Sequence, residues 1–151
     1  MTESIESPET AAHNLAVQRT LDRLVTEWLT VPDVAERLGI DAGKVRRLVQ
    51  ERKIIGVRRG VPPIFSIPAE FLVPEYLANP ANAQAPAPEG APSAILASLG
   101  GTLTVLGDAG FDDAGAIEWL FTEDDALQAT PLRALRTGRK TEVRRRAQLE
   151  L

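Results

Sequence analysis

The chain has 151 residues, a net charge of −4 and no cysteine, a length that accommodates one medium-sized domain or two small ones. The lack of cysteine excludes a disulfide framework and a thiolate metal site. No apolar run approaches the ~20 residues of a membrane-spanning helix, and the acidic N-terminal segment is unlike a signal peptide. We therefore expect a cytoplasmic protein.

Charge is divided sharply along the chain. Residues 1–29 carry a net charge of −3, residues 30–68 of +4, residues 69–132 of −10 and residues 133–151 of +5. A polyanion responds to the local field and not to the total charge. The two basic segments are therefore the candidates for binding a nucleic acid.

The N-terminal part is predicted to be a disordered acidic tail followed by a helix. Residues 1–9 are polar and acidic, a composition typical of disorder. From Thr10 onward, apolar residues recur mainly on one side of a helix, which is expected to pack on the domain that follows. These apolar residues are Leu15, Val17, Leu21, Leu24, Val25 and Trp28.

Residues 30–52 are typical of a helix-turn-helix. Thr30 can cap a first helix, and Gly39 can end it where a left-handed residue is needed. Asp41 can cap a second helix, and Ala35 is small enough for that helix to cross the first one there. The apolar residues on the inward-facing side of the second helix are Val45, Leu48 and Val49.

The opposite face of the second helix predicts contact with DNA. At 3.6 residues per turn, its polar side chains fall together. Arg and Gln can make bidentate hydrogen bonds to guanine and adenine edges, while Lys and Arg neutralise phosphates. We expect Arg46, Arg47 and Gln50 at base edges and Lys44 mainly on a phosphate. The alternative is a basic, solvated helix in a small helical domain.

Residues 53–67 are predicted to form a hairpin, because two short β-branched runs flank a Gly/Pro tip. Arg58 and Arg59 stand beside the tip, where they are expected to contact mainly phosphates. The helix-turn-helix and the hairpin together resemble the winged helix-turn-helix of the MerR and excisionase type, whose wing ends in Ile-Pro, as Ile67-Pro68 does here. Lys53 stands where that pattern commonly has Gly.

A linker and a second, all-helical domain are predicted after the wing. A short closing helix begins at Pro68 and completes a winged domain over residues 10–77. Residues 78–93 have the Ala/Pro-rich composition of a flexible linker. Residues 94–151 are few for an isolated fold, so this domain is expected to lean on the winged domain or on another subunit. The predicted fold class is mainly α with a small β-hairpin wing.

Four helices are predicted in the C-terminal domain from their caps and apolar spacing. The first begins after Ser93 and contains Gly100-Gly101, a pair that weakens the middle of a helix. The other three begin near Asp112 or Asp113, Thr130-Pro131 and Arg139.

Several short runs of the C-terminal domain carry a closer resemblance. In order, they are Leu103-Thr104-Val105-Leu106, Gly110-Phe111, Ala116-Ile117-x-Trp119-Leu120-Phe121-Thr122, Pro131-x-x-Ala134-Leu135 and Glu142-Val143-x-Arg145-Arg146-Ala147-Gln148. With the winged motif, they resemble a small actinobacterial family of winged helix-turn-helix DNA-binding proteins, described as substrates of a membrane Ser/Thr protein kinase, over residues 28–151. Trp119-Leu120 and Gly138 are also loosely similar to the helical C-terminal domain of Xre-type antitoxins. The family resemblance implies DNA binding by the winged domain and assigns the second domain no role.

Enzyme chemistry finds little support in the sequence. The single histidine, His13, is expected at the surface. Asp112-Asp113 and Glu123-Asp124-Asp125 could be magnesium ligands, but helix capping and turn formation explain both clusters more simply. The sequence contains no phosphate-binding glycine loop and no nucleophile with a base partner. We therefore expect no catalytic residue, metal or cofactor.

Taken together, these features predict a regulator that binds double-stranded DNA. The alternative is an antitoxin-like or adaptor protein whose C-terminal helices bind a protein partner. One winged module buries only ~600–1,000 Å² on DNA, so we expect either a homodimer on DNA or a second basic contact. Alternatively, the basic residues of the last helix only favour its C-terminal end and keep it soluble. These residues are Arg139, Lys140, Arg144, Arg145 and Arg146.

The N-terminal tail carries candidate phosphorylation sites. Ser4, Ser7 and Thr10 lie among acidic residues, and the family resemblance favours modification by a Ser/Thr protein kinase. Thr10 is the preferred site. A phosphate adds about −1.5 to −2 charges and is expected to weaken DNA binding, by repelling the DNA backbone or by competing for the arginines. Alternatively, these residues only solvate the tail and cap the first helix.

Overall fold

Seven helices and five short strands make up residues 8–74 and 93–151, the part of the chain that the computed structural model describes. The helices are α1 (Pro8–Leu24), α2 (Val31–Leu38), α3 (Ala42–Gln50), α4 (Leu99–Asp108), α5 (Asp113–Phe121), α6 (Pro131–Arg136) and α7 (Lys140–Gln148). The strands are β1 (Trp28–Leu29), β2 (Val57–Arg59), β3 (Ile64–Pro68), β4 (Leu72–Pro74) and β5 (Ser93–Ile95), with a 3-10 turn at Ala69–Phe71. The predicted fold class is confirmed. None of the helices in these ranges is long and apolar enough to cross a membrane.

The helix-turn-helix is formed by α2 and α3, with the predicted caps. The Thr30 hydroxyl accepts a hydrogen bond from the Asp33 N–H, and the Asp33 carboxylate accepts one from the Thr30 N–H, which completes a capping box. Gly39 has a φ of +68° and donates to two carbonyls in the last turn of α2. The Asp41 carboxylate accepts from the Lys44 N–H at 2.8 Å and caps α3. All three predicted caps are therefore confirmed.

A three-stranded antiparallel sheet with the strand order β1–β3–β2 carries the wing. Val57 pairs with Ser66 along one side of β3, and Trp28 pairs with Pro68 along the other. The placement of Trp28 on the first helix is therefore wrong, since α1 ends at Leu24. Pairing with β3 draws the residues around Trp28 into an extended strand, and this long-range pairing overrides the helical spacing of their apolar side chains.

The first helix begins at Pro8, two residues before the predicted start. Residues 8 and 9, which were assigned to the disordered tail, are therefore helical, and residues 1–7 lie outside the described part of the chain. Residues 78–92 of the predicted linker also lie outside it.

A second antiparallel pair, β4 with β5, joins the two halves of the chain. Ser93 begins β5, so the helix predicted to follow it does not form there. The Leu96 N–H also donates to the Phe71 carbonyl at 2.8 Å, and these backbone hydrogen bonds hold residues 93–96 extended. As a result, α4 begins at Leu99, and Gly100-Gly101 falls in its first turn. The predicted mid-helix weakness is therefore absent from α4.

One continuous hydrophobic core extends through both halves. The rings of Phe71 and Phe121 lie with their centroids 5.8 Å apart, so the end of the winged half packs directly on α5. Of the two expectations for the C-terminal helices, packing on the winged half or on another subunit, the structure shows packing on the winged half. Fully buried side chains come from both halves, and they include Leu21, Ile54, Ile67, Leu99, Leu106, Leu120 and Leu135.

Candidate nucleic-acid interface

Helix α3 presents a polar face to solvent. Val45 is completely buried, while Leu48 and Val49 are half-buried and hold the helix against the domain. The side chains on the other side are exposed, as predicted from the helical period. They are Lys44, Arg46, Arg47 and Gln50.

The positive charge on this face is uncompensated. Within residues 8–74 and 93–151, no carboxylate oxygen lies within 4.0 Å of the cationic groups of Lys44, Arg46 or Arg47. A cation without a carboxylate partner is free to replace the counterions of a phosphate backbone. This face therefore has the electrostatic character that binding to a polyanion requires.

The two arginines of the wing have different surroundings. Arg58 is exposed, and its carbonyl accepts a 3.5 Å hydrogen bond from Nε2 of Gln18 in α1. Arg59 is partly buried, because its guanidinium lies 4.3 Å from the ring centroid of Trp28 and forms an ion pair with Asp22. The structure therefore leaves Arg58 available to a ligand and turns Arg59 back onto the protein.

The sequence analysis did not assign a role in the wing to three residues that shape it. Asp22 and Trp28 hold Arg59, and Gly56 lets the chain pass close to β3. A Cβ on Gly56 would collide with the Ser66 carbonyl oxygen and would lie 2.9 Å from side-chain atoms of both Phe65 and Ile67. These contacts join segments that are distant in sequence, so no local pattern predicts them.

The exit from α3 is fixed by Arg52. Its φ of +55° places it in the left-handed region, which non-glycine residues rarely adopt. Lys53, at the next position, is not among the residues with a positive φ, so the position where the MerR and excisionase pattern commonly has Gly does not need a left-handed residue here. Nη1 of Arg52 donates to Oδ1 of Asp113 at 2.8 Å, and its Nη2 is buried with no partner among the described residues. The end of the helix is thereby tied to α5.

The acidic clusters have structural roles. Oδ1 of Asp112 accepts from the Gly115 N–H at 2.7 Å and caps α5, as predicted. Oδ1 of Asp124 accepts from the Ala126 N–H at 2.8 Å within a turn. Within the described ranges, no three His, Cys, Asp or Glu residues lie close enough together to hold a metal ion.

The predicted basic residues of the last helix separate into two groups. Arg139 is bonded to Glu142 and to the Leu127 carbonyl, and Nε of Arg146 donates to Asp124 at 3.0 Å. The remaining three are exposed and have no carboxylate within 4.0 Å in the part of the chain that is described. These three are Lys140, Arg144 and Arg145.

The predicted phosphorylation sites lie at the edge of the described structure. Thr10 belongs to the first turn of α1, and His13 is exposed on the same helix. Ser4 and Ser7 lie outside the described residues. At Thr10 the backbone is therefore helical rather than extended.

The helix-turn-helix, the wing and the polar face of α3 together define a winged helix-turn-helix protein. Residues 15–72 match the family described as "DNA-binding protein Rv2175c, wHTH domain", and residues 96–150 match the "Rv2175c C-terminal domain of unknown function". The chain belongs to the Rv2175c family, which confirms the family resemblance.

One curated relative and one solved structure support this membership. DNA-binding protein Rv2175c of Mycobacterium tuberculosis is 31% identical over 131 residues, covering 78% of this chain and 76% of the relative. The NMR structure of Rv2175c superposes with a TM-score of 0.62 at 30% identity, over 82% of this chain and 80% of that one. The similarity therefore extends across both halves.

Proposed function

We propose that this protein binds duplex DNA through α3 and the wing and acts as a transcriptional regulator rather than an enzyme. The observation that carries the proposal is the exposed polar face of α3, whose cations have no carboxylate partner among the described residues. The name of the mycobacterial relative, DNA-binding protein Rv2175c, supports it. Such a function requires access to chromosomal DNA, which for a bacterial protein means the cytoplasm.

The side chains of the interface have two proposed roles. Arg46, Arg47 and Gln50 contact base edges in the major groove, because their donors and acceptors match guanine and adenine edges. Lys44 and Arg58 contact phosphates, which set affinity and register without reading sequence. Arg59 holds the wing in place, because Trp28 and Asp22 already bind its guanidinium.

The decisive experiment measures the affinity of the full-length protein for duplex DNA over a range of salt concentrations. The wild-type protein should show a log–log salt slope of about −4 to −5, as expected for ~4–6 phosphate contacts. Arg46→Ala/Arg47→Ala should weaken binding strongly. The control Arg133→Ala/Arg136→Ala removes the same charge from exposed positions on α6 and should bind nearly as well as the wild type. Salt-independent binding, or equal loss in both variants, would contradict the proposal.

The small area that one winged module buries on DNA suggests a further contact or a second copy of the protein. A single winged module buries ~600–1,000 Å², which is modest for specific binding. We therefore propose that two copies bind one duplex, or that the C-terminal half adds a contact. Sedimentation of the protein–DNA complex distinguishes a 1:1 from a 2:1 stoichiometry.

Regulation by a Ser/Thr protein kinase is proposed at Thr10. A phosphate there adds about −1.5 to −2 charges, which would repel the DNA backbone or compete for the arginines of α3. Thr10→Glu and kinase-treated protein should bind DNA more weakly than Thr10→Ala. Equal affinity in all three forms would leave the N-terminal segment without a regulatory role.

A further inference from the structure

A small cleft lies between the N-terminal ends of α4 and α7. Its volume is about 240 Å³, below the ~300–1,000 Å³ typical of sites for drug-sized ligands. A single small group with a few waters is therefore a better fit than a whole nucleotide. The residues that line it are Ser98, Thr102, Lys140, Thr141 and Arg144.

The lining of the cleft is suited to an anion. Lys140 and Arg144 are one helical turn apart on α7, and no carboxylate lies within 4.0 Å of either cationic group in the described ranges. No acidic residue lines the cleft. The Thr102 hydroxyl already donates to the Ser98 carbonyl at 3.0 Å, so the available donors are the two cations and the hydroxyls of Ser98 and Thr141. Several donors and no carboxylate favour an oxyanion such as phosphate.

A glycine of α4 makes room for one of the two cations. A Cβ on Gly101 would lie 3.0 Å from Nη2 of Arg144, which is closer than an ordinary van der Waals contact. The absence of a side chain at Gly101 therefore lets the guanidinium lie against α4 at the edge of the cleft. Glycine has a low helix propensity, and space for the Arg144 guanidinium is a reason for a glycine at this position.

The cleft also lies next to the end of the helix proposed to read DNA. Gly100, which is adjacent to the cleft on α4, packs against the backbone of Lys53, since a Cβ on Gly100 would lie 3.8 Å from the Lys53 Cα. Lys53 follows the C-terminal end of α3 by three residues. The N-terminal end of α4, beside the cleft, is therefore in contact with the segment that follows α3.

We propose that the cleft binds a phosphate group of the DNA backbone that flanks the major-groove contact of α3. This proposal rests on the proposed function and adds to it a defined second contact, made by Lys140 and Arg144. It also gives the C-terminal half of the protein a direct part in DNA binding.

The first test compares two charge-matched variants of the full-length protein on the same duplex. Lys140→Ala/Arg144→Ala should reduce the magnitude of the log–log salt slope by about 1 and lower the affinity about 3- to 10-fold near physiological salt. The control Arg133→Ala/Arg136→Ala removes two exposed cations of α6 that do not line the cleft and should change neither quantity. An equal loss in both variants would overturn the proposal, because it would reflect net charge alone. All four side chains are exposed, so thermal unfolding should confirm that both variants remain folded.

The second test uses inorganic phosphate without DNA, at constant ionic strength. Amide resonances of Ser98 and Thr141 should shift in the wild type and in the control variant but not in Lys140→Ala/Arg144→Ala. If Lys140→Ala/Arg144→Ala loses the phosphate response but binds DNA as the wild type does, the cleft binds a phosphate that does not come from the DNA backbone, and the proposal is overturned. If the wild type shows no phosphate response and the double variant binds DNA as the wild type does, the cleft is not an anion-binding site. If the proposed function fails instead, no form of the protein shows salt-dependent DNA binding, while the phosphate titration still reports on the cleft.

Discussion

The guanidinium of Arg59 lies 4.3 Å from the ring centroid of Trp28 and forms an ion pair with Asp22. These contacts tie strand β2 of the wing to strand β1 and to α1. Its neighbour Arg58 extends from the same short strand and remains exposed. Consecutive side chains of a strand point to opposite faces. Arg59 therefore packs on the protein and holds the wing, while Arg58 places its charge in solvent.

The first prediction separates these two roles. Arg59→Ala should lower the free energy of unfolding by about 1–2 kcal/mol, because it removes a cation–π contact and a partly exposed ion pair. Arg58→Ala should change stability by less than about 0.5 kcal/mol and should instead weaken DNA binding. Urea denaturation and DNA titration of both variants check the assignment. Equal stability of the two variants would show that Arg59 does not hold the wing.

A second prediction concerns sequence reading by α3. Arg47→Ala should cost about 1–3 kcal/mol on a preferred site and relax the preference at one base pair. Lys44→Ala should weaken binding to all duplexes alike and reduce the magnitude of the salt slope by about 0.9. Binding assays on a preferred site and on single-base variants of it distinguish the two patterns. If Arg47→Ala and Lys44→Ala changed binding in the same way on all duplexes, the assignment of Arg47 to a base and of Lys44 to a phosphate would be wrong.

The third prediction tests the close approach at Gly56. Gly56→Ala should destabilise the protein by about 1–3 kcal/mol, because the added methyl group forces the chain away from β3. Gly107→Ala is the matched control: a Cβ there makes an ordinary 3.7 Å contact with the Arg52 guanidinium, inside a helix. That variant should be about 0.5–1 kcal/mol more stable than the wild type, because alanine favours the helix. Thermal denaturation of the pair measures both effects.

The continuous core leads to a fourth prediction. Phe121→Ala should cost about 3–5 kcal/mol, since the ring is buried and packs on Phe71 across the two halves. Unfolding should remain a single transition when followed by fluorescence and by circular dichroism. Leu149→Ala, at an exposed position, should change stability by less than about 0.5 kcal/mol. Two separate transitions would show that the halves unfold independently.

The fifth prediction concerns acid stability. Burial raises the pKa of Asp124, but hydrogen bonds from Arg146 and from the N–H groups of Ala126 and Leu127 outweigh it and bring the pKa below 3.8. A lowered pKa contributes stability above the unfolded value, and this contribution is lost as the pH falls through the folded value. Asp124→Asn should therefore be less stable than the wild type at neutral pH, and the difference should shrink below pH 3.8.

Urea denaturation over a series of pH values checks this expectation. The pKa of Asp33 is also lowered, by hydrogen bonds from Thr30, but Asp33 is present in both proteins and cancels from the difference. Asp125→Asn removes a neighbouring exposed carboxylate and should be close to the wild type at each pH. A difference for Asp124→Asn that is independent of pH would contradict the lowered pKa.

The parts of the fold that were predicted correctly depend on neighbours in sequence. Thr30, Gly39 and Asp41 determine where α2 and α3 begin and end through hydrogen bonds that reach only three or four residues. The polar face of α3 follows from the helical period in the same way. Local chemistry was therefore enough to identify the helix-turn-helix.

The incorrect predictions involve partners that are far away in sequence. Serine is a common helix cap, but Ser93 lies in β5, which pairs with β4 about twenty residues earlier along the chain. The contacts of Arg59 with Asp22 in α1 and with Trp28 in β1 are also long-range, and the sequence analysis did not predict them. Such pairings depend on the tertiary fold, and neither spacing nor propensity contains that information.

The link between Arg52 and Asp113 has a thermodynamic consequence. The backbone of Arg52 ends α3, and its guanidinium is held by α5. If DNA binding restrains the end of α3, this hydrogen bond passes part of that restraint to α5, and coupling between two sites is reciprocal. A molecule that binds more tightly to the arrangement of α5 favoured by DNA would then raise the affinity for DNA by the same factor by which DNA raises its own affinity. A ligand of α5 would in this way change the occupancy of the DNA site.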